Sequence, residues 1–327
     1  MTKIAIIGAG IAGLTAARVL KDHAEVTIFE KSGGVSGRMA TRCSSRYVFD
    51  HGAQFFGAKT PDFNAFIAPM IQSGALKPWN ARFVEIAGSS IMQLREWTDS
   101  YPHFVGVPGM NSVGNFLSQD LNIRLNTRVC SISKGERHWS LMADNSEFLG
   151  NFDWLLLAIP GPQATEILPK NLPLYEKVSK IKMEGCFSVM LGFSKPLPIE
   201  FDAALIRNRD ISWMSINSSK PGREKLFSMI VHSTNNWADA NSHMAKVEAL
   251  DHLCSEISRT IGHDVSKADH KAIHQWMYAN TKKHGNMTHF WDRSENLGVC
   301  GDWVIQGRVE AAFTSGFKLA GDVLKII

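Results

Sequence analysis

Three glycines at the spacing G-x-G-x-x-G, in Gly8-Ala9-Gly10-Ile11-Ala12-Gly13, follow an isoleucine-rich run and precede a stretch of helix formers. In that setting the triplet suits a pyrophosphate: Gly8 permits a tight turn, Gly10 lets backbone approach the phosphates, and Gly13 allows helix to pack closely on strand. The helix start adds N–H groups and a partial positive charge. Glu30, 22 residues after Gly8 and followed by Lys31, stands where a ribose-binding carboxylate is expected. A carboxylate there favours an adenosine ribose without a 2′-phosphate, which suits NAD or the ADP half of FAD equally.

These groups need a strand–turn–helix–strand frame. Lys3 to Ile7 reads as a buried strand, Ala12 to Leu20 as a helix, and Glu25 to Phe29 as a second strand. The next segment, Gly33-Gly34-Val35-Ser36-Gly37-Arg38-Met39-Ala40-Thr41-Arg42, combines flexible backbone with Arg38 and Arg42. A guanidinium fork donates two parallel hydrogen bonds, the geometry a pyrophosphate accepts.

The G-x-G-x-x-G segment followed by G-G-x-x-G-R resembles the flavin-containing amine oxidase superfamily, whose members bind FAD. Gly37-Arg38-Met39-Ala40-Thr41-Arg42 and Asp50-His51-Gly52-Ala53-Gln54-Phe55-Phe56 resemble its small renalase branch, particularly the bacterial members. The resemblance implies an α/β fold of the amine oxidase and p-hydroxybenzoate hydroxylase type. A discontinuous Rossmann-like FAD-binding domain (1–60, 108–160 and 295–327) would accompany an α+β substrate-binding domain with an antiparallel sheet (61–107 and 161–294).

Asn122–Leu125, Arg128–Ile132, His138–Ala143 and Trp154–Ile159 read as strands. Extended runs follow at Phe187–Phe193, Ala203–Arg207, Ile211–Ile216 and Lys225–His232, with a helix over Met244–Ile261 that stops at Gly262. By resemblance, Val129 joins the cofactor-binding set. Cys300-Gly301-Asp302 and Arg308-Val309-Glu310-Ala311 form a second FAD motif, with Asp302 toward the ribityl and phosphate region and the 310–325 helix start facing the flavin pyrimidine. Some amine oxidases attach FAD through a cysteine near Cys300; a buried, inert thiol and non-covalent FAD are expected here.

His51, Gly52, Ala53, Gln54 and Phe55 are expected beside the cofactor, with Gln54 offering donor and acceptor. His274-Gln275-Trp276-Met277-Tyr278-Ala279 resembles the renalase H-x-W-x-Y-A stretch over the flavin, and as a strand it points Trp276 and Tyr278 to one face. Val231-His232 and Trp237 resemble a V-H-x-x-x-x-W segment, which makes His232 a substrate-contacting candidate; Asn235-Asn236 stand where bacterial relatives are expected to carry a charge. Arg207, Arg209 and Lys282 are candidate rim groups.

The chain has 327 residues, 44% hydrophobic and 20% charged, which excludes disorder and gives roughly two domains. Its net charge of +4 comes without a block of like charges, so neither nucleic acid nor a membrane is an expected partner. No apolar run reaches a membrane-spanning length of about 18 residues. Five scattered cysteines, Cys43, Cys130, Cys186, Cys254 and Cys300, argue against a disulfide framework or zinc site and fit a reducing, cytoplasmic setting. No metal-ligand cluster and no G-x-S-x-G elbow occur. The chemistry must therefore lie with the cofactor. The renalase resemblance implies oxidation of isomeric (2- or 6-) dihydro-NAD(P) to NAD(P)+, with O2 as co-substrate and hydrogen peroxide as product. An amine oxidase is the runner-up, disfavoured by only four tyrosines, and a non-catalytic FAD-binding redox sensor is the third reading.

Overall fold

The isoleucine-rich run Lys3–Ile7 is a strand within a six-stranded sheet of order Phe290–Asp292, Leu297–Val299, Trp154–Leu157, Lys3–Ile7, Glu25–Phe29 and Asn122–Arg124. All neighbours are parallel except the first pair. The central strands Lys3–Ile7, Trp154–Leu157 and Leu297–Val299, buried on both sides, read as continuous apolar runs rather than alternating ones. The computed structural model describes residues 1–44 and 46–327.

The chain divides into two units: Met1–Arg38, Gly114–Met183 and Asn280–Ile327 form one, Met39–Val113 and Glu184–Ala279 the other. In the first unit, helices Ile11–Leu20 and Val309–Leu324 pack together so closely that a Cβ on Gly316 would collide with Ala12 O. An antiparallel sheet of Val129–Lys134, Trp139–Ala143 and Phe148–Phe152 completes it. Its core joins Phe29, Trp139, Phe152, Leu155, Leu157 and Trp303. Each such buried side chain contributes about 1.5–3 kcal/mol relative to exposure.

The second unit is built on a seven-stranded sheet. Its order is His270–Asn280, Glu184–Phe193, Phe227–Ser233, Ile211–Ile216, Ala203–Arg207, Arg82–Ala87 and Ser90–Glu96. Helix Lys246–Ile261 ends at Gly262 in the left-handed region (φ +69). Its Ala249, Leu253 and Ile257 share a core with Val189, Val231 and Met214 of the sheet. On the opposite face, Met190 and Ile230 pack with Tyr47 and Phe49.

The expected α/β architecture is thus present, with a largely parallel sheet in one unit and, in the other, an antiparallel sheet interrupted by the parallel pair Ala203–Arg207 and Arg82–Ala87; the two units divide the chain at other points than the expected domains. Residues 39–60 lie with the second unit, tied by Asn217 Nδ2 donating to Val48 O at 2.9 Å and by Tyr47 packing on Gly192. Residues 161–183 lie with the first, where Ala164, Leu168, Leu174 and Val178 enter its core. Residues 280–294 do so because Phe290–Asp292 pairs with Leu297–Val299.

Candidate functional site

The first unit carries the glycine turn expected to cradle a nucleotide. Gly8 has φ +107, and a Cβ there would stand 2.7 Å from Ala158 O, so neither conformation nor space admits a side chain. A Cβ on Gly13 would collide with Gly8 O, which explains the close helix–strand packing. Around Gly10 the opposite holds: a Cβ would meet nothing within 4 Å, leaving backbone open at the start of helix Ile11–Leu20. That helix begins at Gly10 without a side-chain cap, with Ile11 and Ala12 in its first turn.

Glu30 braces this turn. Its carboxylate, 7% exposed, accepts from Ala9 N–H at 2.8 Å and Ser32 N–H at 2.9 Å and so holds the loop together. Lys31 Nζ donates to Gln163 Oε1 at 3.4 Å on the surface. Gly37 abuts the cradle, since a Cβ on it would come within 3.3 Å of Gly10 Cα. Arg38 forms a two-pronged pair with Asp302, one prong at 3.0 Å. The two residues expected separately at pyrophosphate and ribityl are therefore linked to each other. Gly301 N–H donates to Ser315 Oγ at 2.9 Å, and helix Val309–Leu324, carrying Glu310 and Ala311, starts at Arg308 without a side-chain cap. Val129 is a core residue of this unit. Burial pushes the Cys300 thiol up to about 12, which makes it a poor nucleophile.

In the second unit the loop from His51 to Phe55 is held by a buried charge knot. Asp50 Oδ2 accepts from Arg223 Nη2 at 2.6 Å and Lys220 Nζ at 3.3 Å, while Oδ1 accepts from Thr41 Oγ1 at 2.7 Å and Met110 N–H at 2.9 Å. Burial would raise this carboxyl, but the two cations outweigh it and hold it at about 2. Burial likewise lowers Lys220 to about 8.

Gln54 donates to Asp50 O and, at 2.9 Å, to Gly52 O, and accepts from Ser215 Oγ at 2.7 Å and Lys220 Nζ at 3.1 Å. Both ends of its amide are thus hydrogen-bonded within the protein. Gly52 and Ala53 form the half-buried crest of the loop. Phe55 packs against Trp97, His103 and Trp213, with ring centroids 4.8, 5.0 and 5.4 Å away. Met39 is buried in the segment leading to this loop.

His51 stacks on Trp276 at 5.2 Å and meets His274 edge-on at 5.0 Å; Trp276 Nε1 donates to His51 O at 2.9 Å. Tyr278 lies two residues along the same strand, on the Trp276 face. Burial, then neighbouring positive groups, lowers His51 and His232 to about 4, so both imidazoles are neutral at pH 7. Trp237, expected alongside His232, instead stacks on His252 at 5.1 Å and packs into the helix-side core. Arg207 is paired with Glu85, and Arg209 donates to Gly88 O at 3.3 Å. Lys282 belongs to the first unit.

Lys220, Arg223, Ser188 and Trp213 also stand at this site and belong to none of the sequence motifs. The signal for the first two was the turn Lys220-Pro221-Gly222-Arg223, and for Ser188 a lone hydroxyl inside an apolar strand. Among the described residues, no group of three or more His, Cys, Asp or Glu could hold a metal, and no helix is long and apolar enough to cross a membrane.

Residues 6–69 match the model of an NAD(P)-binding Rossmann-like domain, and residues 80–324 that of the flavin containing amine oxidoreductases. A 51-residue stretch is 51% identical to 4,4′-diapophytoene desaturase (4,4′-diaponeurosporene-forming) of Staphylococcus aureus (strain Newman). That match covers 15% of this chain and about a tenth of the desaturase's length. In solved structures, the fold resembles a protoporphyrinogen oxidase-like protein of Exiguobacterium sp. 255-15 (TM-score 0.76, 14% identity, 98% of both chains). It also resembles putrescine oxidase bound to putrescine (TM-score 0.70, 13% identity, 99% of both chains).

Proposed function

Because this chain belongs to the flavin-containing amine oxidoreductase family, which implies an FAD cofactor, we propose that it is a renalase-like oxidase of isomeric (2- or 6-) dihydro-NAD(P). The first unit is then the FAD-binding part and the second the substrate-binding part. The open backbone at Gly10 and the helix starts at Gly10 and Arg308, which lack a side-chain cap, fit a dinucleotide. Gly8, Gly10, Gly13, Glu30, Arg38 and Asp302 would hold it without a covalent link. When bound, FAD supplies a two-electron acceptor that takes hydride and passes the electrons to O2.

One observation carries the choice of substrate. The imidazoles of His51 and His232 are held at about 4, and the nearby Asp50 carboxylate is consumed by Lys220 and Arg223. His51, His232 and Asp50, the groups at this loop, therefore offer no strong base at neutral pH. A dihydronicotinamide suits such a surface, because losing hydride leaves an aromatic cation and no proton has to be removed by the protein. The overall reaction consumes the dihydro isomer, O2 and a proton and gives NAD(P)+ and hydrogen peroxide.

The aromatic group of Phe55, Trp97 and Trp213 favours a second reading, oxidation of an amine held as a cation over ring faces. Peroxide formation by the purified protein, with 2- and 6-dihydro isomers and with primary and secondary amines, separates the readings. The proposal expects one peroxide per dihydro isomer consumed and none from amines. Peroxide from amines alone would establish the second reading, and none from either would point to a redox sensor.

A further inference from the structure

Three adjacent strands of the second unit set Ser188, His232 and Trp213 in a row. Ser188 pairs with His232, and His232 with Trp213, in the strand register. Directly opposed residues of antiparallel neighbours point to the same face. That face is the one away from helix Lys246–Ile261, because Val189, Val231 and Met214, each one residue along, enter the helix-side core.

Every member of the row has a buried polar atom with no hydrogen-bond partner among the described residues: Ser188 Oγ, His232 Nε2 and Trp213 Nε1. His51 Nδ1 is in the same state, and the His51 backbone lies within hydrogen-bonding reach of the His232 ring. Ser188 is fully buried and His51 is 7% exposed. Native interiors rarely leave such groups unsatisfied, so four around one loop call for a partner from outside the chain.

We infer that Ser188, His232, Trp213 and His51 form a recognition strip for an uncharged carboxamide or ring carbonyl on a flat heterocycle, an inference that rests on the dihydronicotinamide reading. An indole N–H only donates, so Trp213 demands an acceptor on the ligand. A neutral imidazole can accept from the amide NH2, and the Ser188 hydroxyl serves either way. Asp50, the carboxylate next to His51, is closed to an ammonium, since its oxygens are taken by Thr41, Met110, Lys220 and Arg223. Trp276 and Phe55, on either side of the loop crest, supply ring faces.

The test is calorimetric titration of the flavin-loaded protein with nicotinamide, pyridine and benzylamine, using wild type, Trp213→Phe and Ser188→Ala. The Phe variant keeps a ring and removes the N–H; the Ala variant serves if Phe perturbs folding. Nicotinamide should bind wild type and weaken about five- to tenfold in each variant, while pyridine, which lacks the carboxamide, should be insensitive. Equal nicotinamide affinity in wild type and both variants would overturn the strip, as would no binding at all, which would mean that it holds water only. Tighter binding of benzylamine that depends on Trp213 would overturn it too. A failed dihydronicotinamide reading looks different: dihydro isomers give no peroxide, yet nicotinamide binding still depends on Trp213. A failed strip leaves the isomers oxidised with a KM unmoved by Trp213→Phe.

Discussion

Arg223 Nη2 donates a 2.6 Å hydrogen bond to Asp50 Oδ2, with both side chains at most 1% exposed. Lys220 joins the same oxygen at 3.3 Å from a fully buried position. The pairing anchors the residue immediately before His51, so it sets where the His51–Phe55 loop lies over the sheet. Replacing Asp50 by Ala strands two buried cations, and about 3–5 kcal/mol of stability should be lost. Urea unfolding checks this, and a change below about 1 kcal/mol would show that water reaches the knot.

The glycines of the cradle should separate folding from cofactor binding. Gly13→Ala places a methyl group against Gly8 O and should leave little folded protein. Gly10→Ala meets no protein atom and adopts an ordinary backbone conformation (φ −78), so its fold should survive. Its flavin content should nevertheless fall, because the methyl occupies space that the phosphates need. Absorbance spectra alongside circular dichroism distinguish the two; full flavin occupancy in folded Gly10→Ala would remove the phosphates from this turn.

Arg38 and Asp302 form an ion pair that links the two segments proposed to hold the cofactor. Asp302→Ala should remove this partner of Arg38, weaken FAD retention at least tenfold, and cost about 1–3 kcal/mol from the lost charge-assisted bonds. Equilibrium dialysis measures the first effect and thermal unfolding the second. Retention unchanged despite a lowered melting point would make the pair purely structural.

Acid should destabilise the protein well above the carboxylate range. His51 and His232 are lowered from 6.5 to about 4 by burial, with His274 and Arg42 acting on the first and Lys220 on the second; Asp50 opposes the shift at His51. Between those values the unfolded chain binds protons that the folded chain refuses. The stability is therefore complete above about pH 6.5 and declines as pH falls toward about 4, by on the order of 3 kcal/mol per imidazole. His232→Asn should flatten this part of the melting-temperature profile. An unaltered slope would assign the acid sensitivity to other groups, such as His274 and His103, whose protonation burial also disfavours.

The cradle was legible because its chemistry is local: three glycines, a strand, a helix and Glu30 fall within thirty residues. Both strand Ala203–Arg207 and strand Ile211–Ile216 were read with their observed bounds, since turn residues frame them. The Asp50 knot was not legible, because its cations lie 170 and 173 residues away and in sequence look like ordinary surface charges. The row of Ser188, His232 and Trp213 depends on strand register, which no single segment encodes. One available signal was passed over: Thr60-Pro61, a capping threonine and first-turn proline, opens helix Pro61–Gln72. The partners of Gln54 were not legible either, since Ser215 and Lys220 lie 161 and 166 residues away.

The central claim is tested most directly by mixing the purified, flavin-loaded protein without oxygen with 6-dihydro-NAD, 2-dihydro-NAD or an amine, and following absorbance near 450 nm, where oxidised flavin absorbs. Rapid bleaching by a dihydro isomer, with recovery of colour when air is admitted, is the predicted result. Bleaching by amines while both dihydro isomers leave the yellow colour unchanged would contradict it.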